Sequence, residues 1–120
     1  PDNFFDNIIA MSVLSLLGKE KKVENLLKEF KRVLKPNGKL IVDINDQNSV
    51  FSGSKKKIKT NIYKAQPVDK YIHTFCLKSE KSFKKIVSKF FKVKDVGFSS
   101  YKSCGKTITE FIICCVNNKR

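Results

Sequence analysis

The chain has 120 residues, enough for one domain with a buried core, and its 25 Lys and Arg against 11 Asp and Glu give a formal charge of +14. No apolar run of about 18 residues occurs, which excludes a membrane-spanning helix. The four cysteines, Cys76, Cys104, Cys114 and Cys115, lack C-x-x-C spacing, so they read as reduced thiols in a cytoplasmic compartment, with no metal site.

In chain order, Phe5 to Met11 reads as a short buried strand behind a polar lead-in. Ser12 to Leu17 is apolar and opens a helix or a loop-helix segment, which Gly18 breaks. From Lys19 to Leu34, Val23, Leu26, Leu27, Phe30, Val33 and Leu34 recur at helical spacing and predict an amphipathic helix. Pro36 ends it, and Asn37-Gly38 supplies the positive φ of a tight reversal. Leu40, Ile41, Val42 and Ile44 are nearly continuous, as in a strand covered on both faces.

Asp46 to Lys70 is polar and lysine-rich, with a run at Lys55-Lys56-Lys57. It is too long for an ordinary connection, so residues 46–78 read as a long loop or an inserted segment, with a short helix or strand around Ile58 to Lys64 as one option. Ser79 predicts the N-cap of a helix over Glu80 to Phe90. Val93 to Tyr101 and Ile108 to Val116 predict a hairpin turning at Ser103-Cys104-Gly105-Lys106. The lysine excess is spread over every segment. It reads as a solvated surface with general affinity for polyanions, and it keeps RNA or DNA among the partners.

Arg32-Val33-Leu34-Lys35-Pro36-Asn37-Gly38-Lys39-Leu40 resembles the R-V-L-K-P-G-G-x-L passage of class I S-adenosylmethionine-dependent methyltransferases. Phe5-Asp6-Asn7-Ile8, some two dozen residues upstream, is similar to that family's F-D-x-V strand. The resemblance implies an α/β fold, with residues 1–120 as one domain forming the C-terminal half of a Rossmann-like methyltransferase sheet. Three parallel strands would carry one antiparallel strand inserted, in the order Phe5 to Met11, Lys39 to Asn45, Ile108 to Val116, Val93 to Tyr101. The continuous apolar run Ile112 to Cys115 supports placing its strand inside the sheet and not at an edge.

The family's first half, with a glycine-rich loop and an acidic ribose-binding residue, has no counterpart: Gly18, Gly38, Gly53, Gly97 and Gly105 all stand alone. The start at Pro1 and the strand predicted almost at once read as a piece of a longer chain. The Phe5 to Met11 edge is then expected to be open, or covered by a missing N-terminal half or another chain, with apolar surface exposed at Val13 and Leu16.

In open α/β sheets ligands sit beyond the carboxyl ends of the strands. The resemblance places Ala10, Met11 and Ser12 beside the methionine portion of the cofactor, S-adenosylmethionine; a capping serine at a strand end is the other reading of Ser12. Asn45, Asp46 and Asn48 supply polar groups at the next strand end, on the acceptor side, and suit turn chemistry equally. His73, the one histidine, borders the acceptor pocket in related enzymes and is the candidate general base. It also reads as a structural histidine. Phe51, Tyr63, Tyr71 and Phe75, interleaved with lysines, either stack bases or anchor the 46–78 segment. Two functions follow: a methyltransferase acting on a small molecule or RNA, inactive as this piece alone, or a non-catalytic basic module binding nucleic acid or a protein partner.

Overall fold

The computed structural model describes residues 1–53, 56–66 and 70–119. In chain order these form β1 (Phe5–Ala10), α1 (Glu20–Val33), β2 (Leu34–Asn45), β3 (Lys57–Lys59), β4 (Ile62–Ala65), β5 (Ile72–Phe75), α2 (Glu80–Val87), β6 (Lys92–Ser103) and β7 (Lys106–Val116). Short 3-10 turns occupy Leu14–Leu17 and Val50–Ser52.

The apolar stripe of α1 decides its orientation. Val23 and Leu27 are fully buried while Leu26 and Phe30 pack at the border of the core. Glu20 sits in the first turn, and Lys31 and Arg32 in the last, as the helix dipole favours. The helix ends where Leu34 turns extended, its N–H still donating to the Phe30 carbonyl. In the reversal that follows, the two residues of Asn37-Gly38 have different tasks. Asn37 takes the left-handed conformation, at φ 67°, which asparagine tolerates. Gly38 does not; it is there for space, since a Cβ would stand 2.7 Å from Leu34 Cδ2, 2.8 Å from the Lys35 carbonyl oxygen and 2.9 Å from that of Asp6. Asn117, fully buried, closes the corner by donating from Nδ2 to the Lys31 and Leu34 carbonyls, both at 3.0 Å.

The main sheet has the order β1-β2-β7-β6. β1 runs parallel to β2, and β7 is antiparallel to both β2 and β6. The parallel set β1, β2, β6 with β7 inserted is therefore the arrangement the sequence predicts. Leu40, Val42 and Ile44 face Cys115, Ile113 and Phe111 across the β2–β7 ladder. All six are buried in one cluster with Val23 and Leu27 of α1 and Phe83, Ile86 and Val87 of α2. Each such side chain contributes roughly 1.5–3 kcal/mol when removed from water.

The opposite face is open: Ile41, Ile112 and Cys114, which alternate with those residues, are only half-buried. β1 departs from the buried strand its composition suggests. Only Ala10 is buried and Ile9 is 69% exposed, because β1 is an edge strand paired, among the described residues, with β2 alone. Val13 and Leu16 are exposed beyond it, as expected.

The 46–78 segment is more ordered than a long loop. It carries a second, antiparallel sheet, β3-β4-β5. Tyr63 and Ala65 on β4, and Thr74 and Phe75 on β5, are buried, while Lys64 and His73 stand opposite each other on the exposed face. Thr60-Asn61 turns the first hairpin with Asn61 at φ 63°. The two sheets join where the Leu77 N–H donates to the Asn45 carbonyl at 3.1 Å. Of the lysine run, Lys55 lies outside the described residues.

Ser79 is the N-cap of α2, its Oγ accepting from the Ser82 N–H at 3.2 Å. The helix stops at Val87, short of the predicted Phe90, and a turn brings Phe91 into the core. Cys104 and Gly105, at φ 51° and 75°, make the two-residue β6–β7 turn, whose positive φ values match the strand twist. No described helix is long and apolar enough to cross a membrane.

Candidate functional site

The carboxyl ends of β1 and β2 lie side by side, because the strands are parallel neighbours. β7 is antiparallel, so its first residues arrive at the same end. Three of the predicted residues stand here. Ala10 is buried as the last residue of β1, and Met11 and Ser12 are exposed. Ser12 has φ 61°, an unusual conformation for a serine. What holds it is a carboxylate: the Ser12 N–H donates to Asp43 Oδ1 at 2.7 Å. The hydroxyl of Ser12 makes no hydrogen bond to a described residue, so Ser12 is not a capping serine.

Asn45 and Asp46 are committed to the framework. Asn45 Nδ2 donates to Ser49 Oγ at 3.1 Å and to the Thr109 carbonyl at 3.2 Å, and its N–H donates to Ser15 Oγ at 2.9 Å. Asp46 accepts from the Asn48 N–H at 3.1 Å and from the Thr109 hydroxyl. These are the turn contacts that Asn and Asp favour. Asn48 is exposed, its amide turned to Asp46 Oδ2 at 3.4 Å.

His73 is exposed on β5 and its imidazole makes no hydrogen bond to a described residue, which removes the structural-histidine reading. Its backbone packs against the Leu14–Leu17 turn, where a Cβ on Gly18 would stand 3.2 Å from the His73 carbonyl oxygen. Tyr63 and Phe75 are buried and Phe51 is half-buried, so they anchor the second sheet; Tyr71 alone of the four is well exposed.

The residues the sequence reading missed are Asp43 and Glu110. Asp43 is 2% exposed and Glu110 6%. Glu110 stands opposite Asn45, and Asp43 opposite Ile112, so the two acids are diagonal neighbours on the same face as Ile41 and Ile112, buried at its carboxyl end. Burial, and the Asp43 carboxylate beside it, push the Glu110 carboxyl up to about 8. Asp43 Oδ2 is buried without a donor among the described side chains and backbone groups. Both causes act in one direction: they favour the protonated form of Glu110 beside Asp43. The pair's visible effect is positional: Asp43 fixes Ser12, with Glu110 next to it. The signal available in the sequence is a single acid inside each of two apolar strands.

A family model described as "Methyltransferase domain" matches residues 1–42. No curated protein matches the chain. Among solved structures, a SAM-dependent methyltransferase from Methanosarcina mazei superposes with a TM-score of 0.80 at 18% identity, over 99% of this chain and 62% of that one. The N-methyltransferase NodS from Bradyrhizobium japonicum, in complex with S-adenosyl-L-homocysteine, gives 0.62 at 12% identity, over 98% and 48%. The 1,6-didemethyltoxoflavin-N1-methyltransferase of Burkholderia thailandensis gives 0.61 at 10%, over 99% and 46%. The chain thus has the α/β fold of the S-adenosylmethionine-dependent methyltransferases, and spans about half to under two-thirds of the length of these structures.

Proposed function

We propose that this chain supplies the acceptor side of an S-adenosylmethionine-dependent methyltransferase. The observation that carries the reading is the sheet order, with β7 antiparallel between β2 and β6, joined to a loop at the end of β1 that Asp43 holds in a fixed shape. The cofactor's sulfonium makes the methyl group electrophilic, so the protein's task is alignment. Met11 and the Ser12 hydroxyl, both exposed, suit one flank of the cofactor, its methionine portion. The Ser12 N–H is already taken by Asp43. The ribose hydroxyls and adenine have no donor set here and fall to a glycine-rich turn and an acid outside these residues.

Further strands pair with the open β1 edge in this reading, from a preceding half or a second molecule, and cover Ile9 and the open face. Asn48 and His73 stand on the acceptor side, and His73 is the residue to test as proton acceptor for a small-molecule or RNA acceptor.

Titrating the 120-residue chain with S-adenosylhomocysteine, followed by amide NMR and calorimetry, tests the proposal. Shifts should centre on Ala10, Met11 and Ser12. Several cofactor hydrogen bonds, each worth on the order of 1 kcal/mol, are missing, so affinity should be weaker than about 100 μM. No shift at Ala10–Ser12 at millimolar ligand would remove the cofactor assignment. One-to-one micromolar binding would show that the chain holds the whole site.

A further inference from the structure

Two hollows of about 200 and 230 Å³ adjoin where the second sheet meets the carboxyl end of the main one, and they share Val50 and Lys106. The first is lined in addition by Lys56, Lys64 and Tyr71, the second by Asn48 and Thr107. Together they fall within the roughly 300–1,000 Å³ of small-ligand pockets.

Among the described residues, no carboxylate lines the first hollow. Lys64 donates its N–H to the Lys56 carbonyl at 2.9 Å, so the two lysines are cross-strand neighbours. Like charges in that relation destabilise a sheet. Instead of diverging, both ammonium groups converge on one ring: Lys64 Nζ is 4.9 Å and Lys56 Nζ 5.9 Å from the Tyr71 centroid. No described carboxylate forms an ion pair with either. Tyr71 is 55% exposed, which leaves ring surface for stacking. The cation–π contacts offset part of the repulsion, and an anion between the ammonium groups would offset the rest.

We propose that this groove binds a small phosphate-bearing heterocycle, the phosphate between Lys56 and Lys64 and the ring stacked on Tyr71. The position, beyond the carboxyl ends of the parallel strands, makes it the methyl acceptor's subsite, and that part of the inference rests on the methyltransferase reading above. The size of the site argues against an RNA strand. Strand-binding grooves combine a basic track of about four or more nucleotides with successive stacking rings, whereas one exposed ring and one lysine pair match a single phosphorylated unit.

The test needs no cofactor, so it fails independently of the methyltransferase reading. The chain is titrated with uridine 5′-monophosphate, inorganic phosphate, uridine and a decauridylate at constant ionic strength, followed by amide and aromatic NMR. The monophosphate should shift Lys56, Lys64 and Tyr71, and bind more tightly than phosphate or uridine. Lys56→Gln and Lys64→Gln should each weaken it about tenfold, as loss of one charge-assisted contact implies. Tyr71→Ala should abolish its advantage over phosphate, whereas Lys84→Gln on the exposed side of α2 should leave it unchanged. Shifts spread over all lysines and indifferent to Lys56→Gln and Lys64→Gln would overturn the proposal. So would occupation of the groove by decauridylate with no binding of the monophosphate.

Discussion

Glu110→Gln separates a buried proton from a buried charge. In the parent chain the Glu110 carboxyl is held up to about 8, against an ordinary value of 4.5, by burial first and by the Asp43 carboxylate second. The unfolded chain releases this proton near 4.5 and the folded chain keeps it until about 8. Stability from this group is therefore complete below pH 4.5, is lost progressively between 4.5 and 8, and does not fall further above 8. At about 1.4 kcal/mol per pH unit, the whole loss is at most about 5 kcal/mol. Gln carries no charge at any pH, and its amide offers Asp43 a donor in place of the carboxyl proton.

Glu110→Gln should therefore cost little at pH 5, and should stabilise the fold by roughly 2–4 kcal/mol at pH 9. For a domain of this size that is on the order of 10 °C in Tm. Thermal unfolding of both chains at pH 5 and pH 9 reads the difference. Asp2, Glu24 and Glu29, whose carboxyls are lowered chiefly by hydrogen bonds to Arg32 and Lys89, titrate below this window and do not confuse it. If the two chains differ equally at both pH values, Glu110 does not hold the proton, and Asp43 Oδ2 finds its donor elsewhere.

Gly38→Ala should destabilise by several kcal/mol, because its Cβ would meet two backbone oxygens under 3.0 Å; a cost below about 1 kcal/mol by urea titration would contradict the corner described here. Ser79→Ala should remove the α2 cap and about 1 kcal/mol of stability, and an unchanged midpoint would mean that the cap contributes nothing. Cys76 and Cys115 have thiols pushed up to about 12, mainly by burial. At pH 8 an aromatic disulfide reagent should modify exposed Cys104 first and reach those two only on unfolding; prompt reaction at either would show that the core opens.

The strand order was legible from the methyltransferase resemblance, which implies it, with the apolar run Ile112 to Cys115 arguing against an edge position. The Ser79 cap was legible because its hydrogen bond lies within one helical turn. The acid pair was not. Each is the one acid of its strand, and its partner lies on another strand far along the chain, where spacing carries no information. The second sheet was obscured for a different reason. Lys64 and His73 hold the exposed positions of β4 and β5, so a two-residue alternation looked like a lysine-rich loop. β1 read as buried because apolar composition does not record which neighbours a strand has.

β7 follows the other described strands in sequence, yet it sits inside the sheet, hydrogen-bonded to β2 on one side and β6 on the other. During synthesis β1, α1 and β2 leave the ribosome with Leu40, Val42 and Ile44 lacking their facing strand, and the Cys115 thiol that meets the Leu40 carbonyl at 3.5 Å emerges 75 residues later. Closing such distant contacts is slow and exposes apolar strands meanwhile. Assembly of the described strands therefore waits on an inner one: the arrival of β7 completes the ladder between β2 and β6.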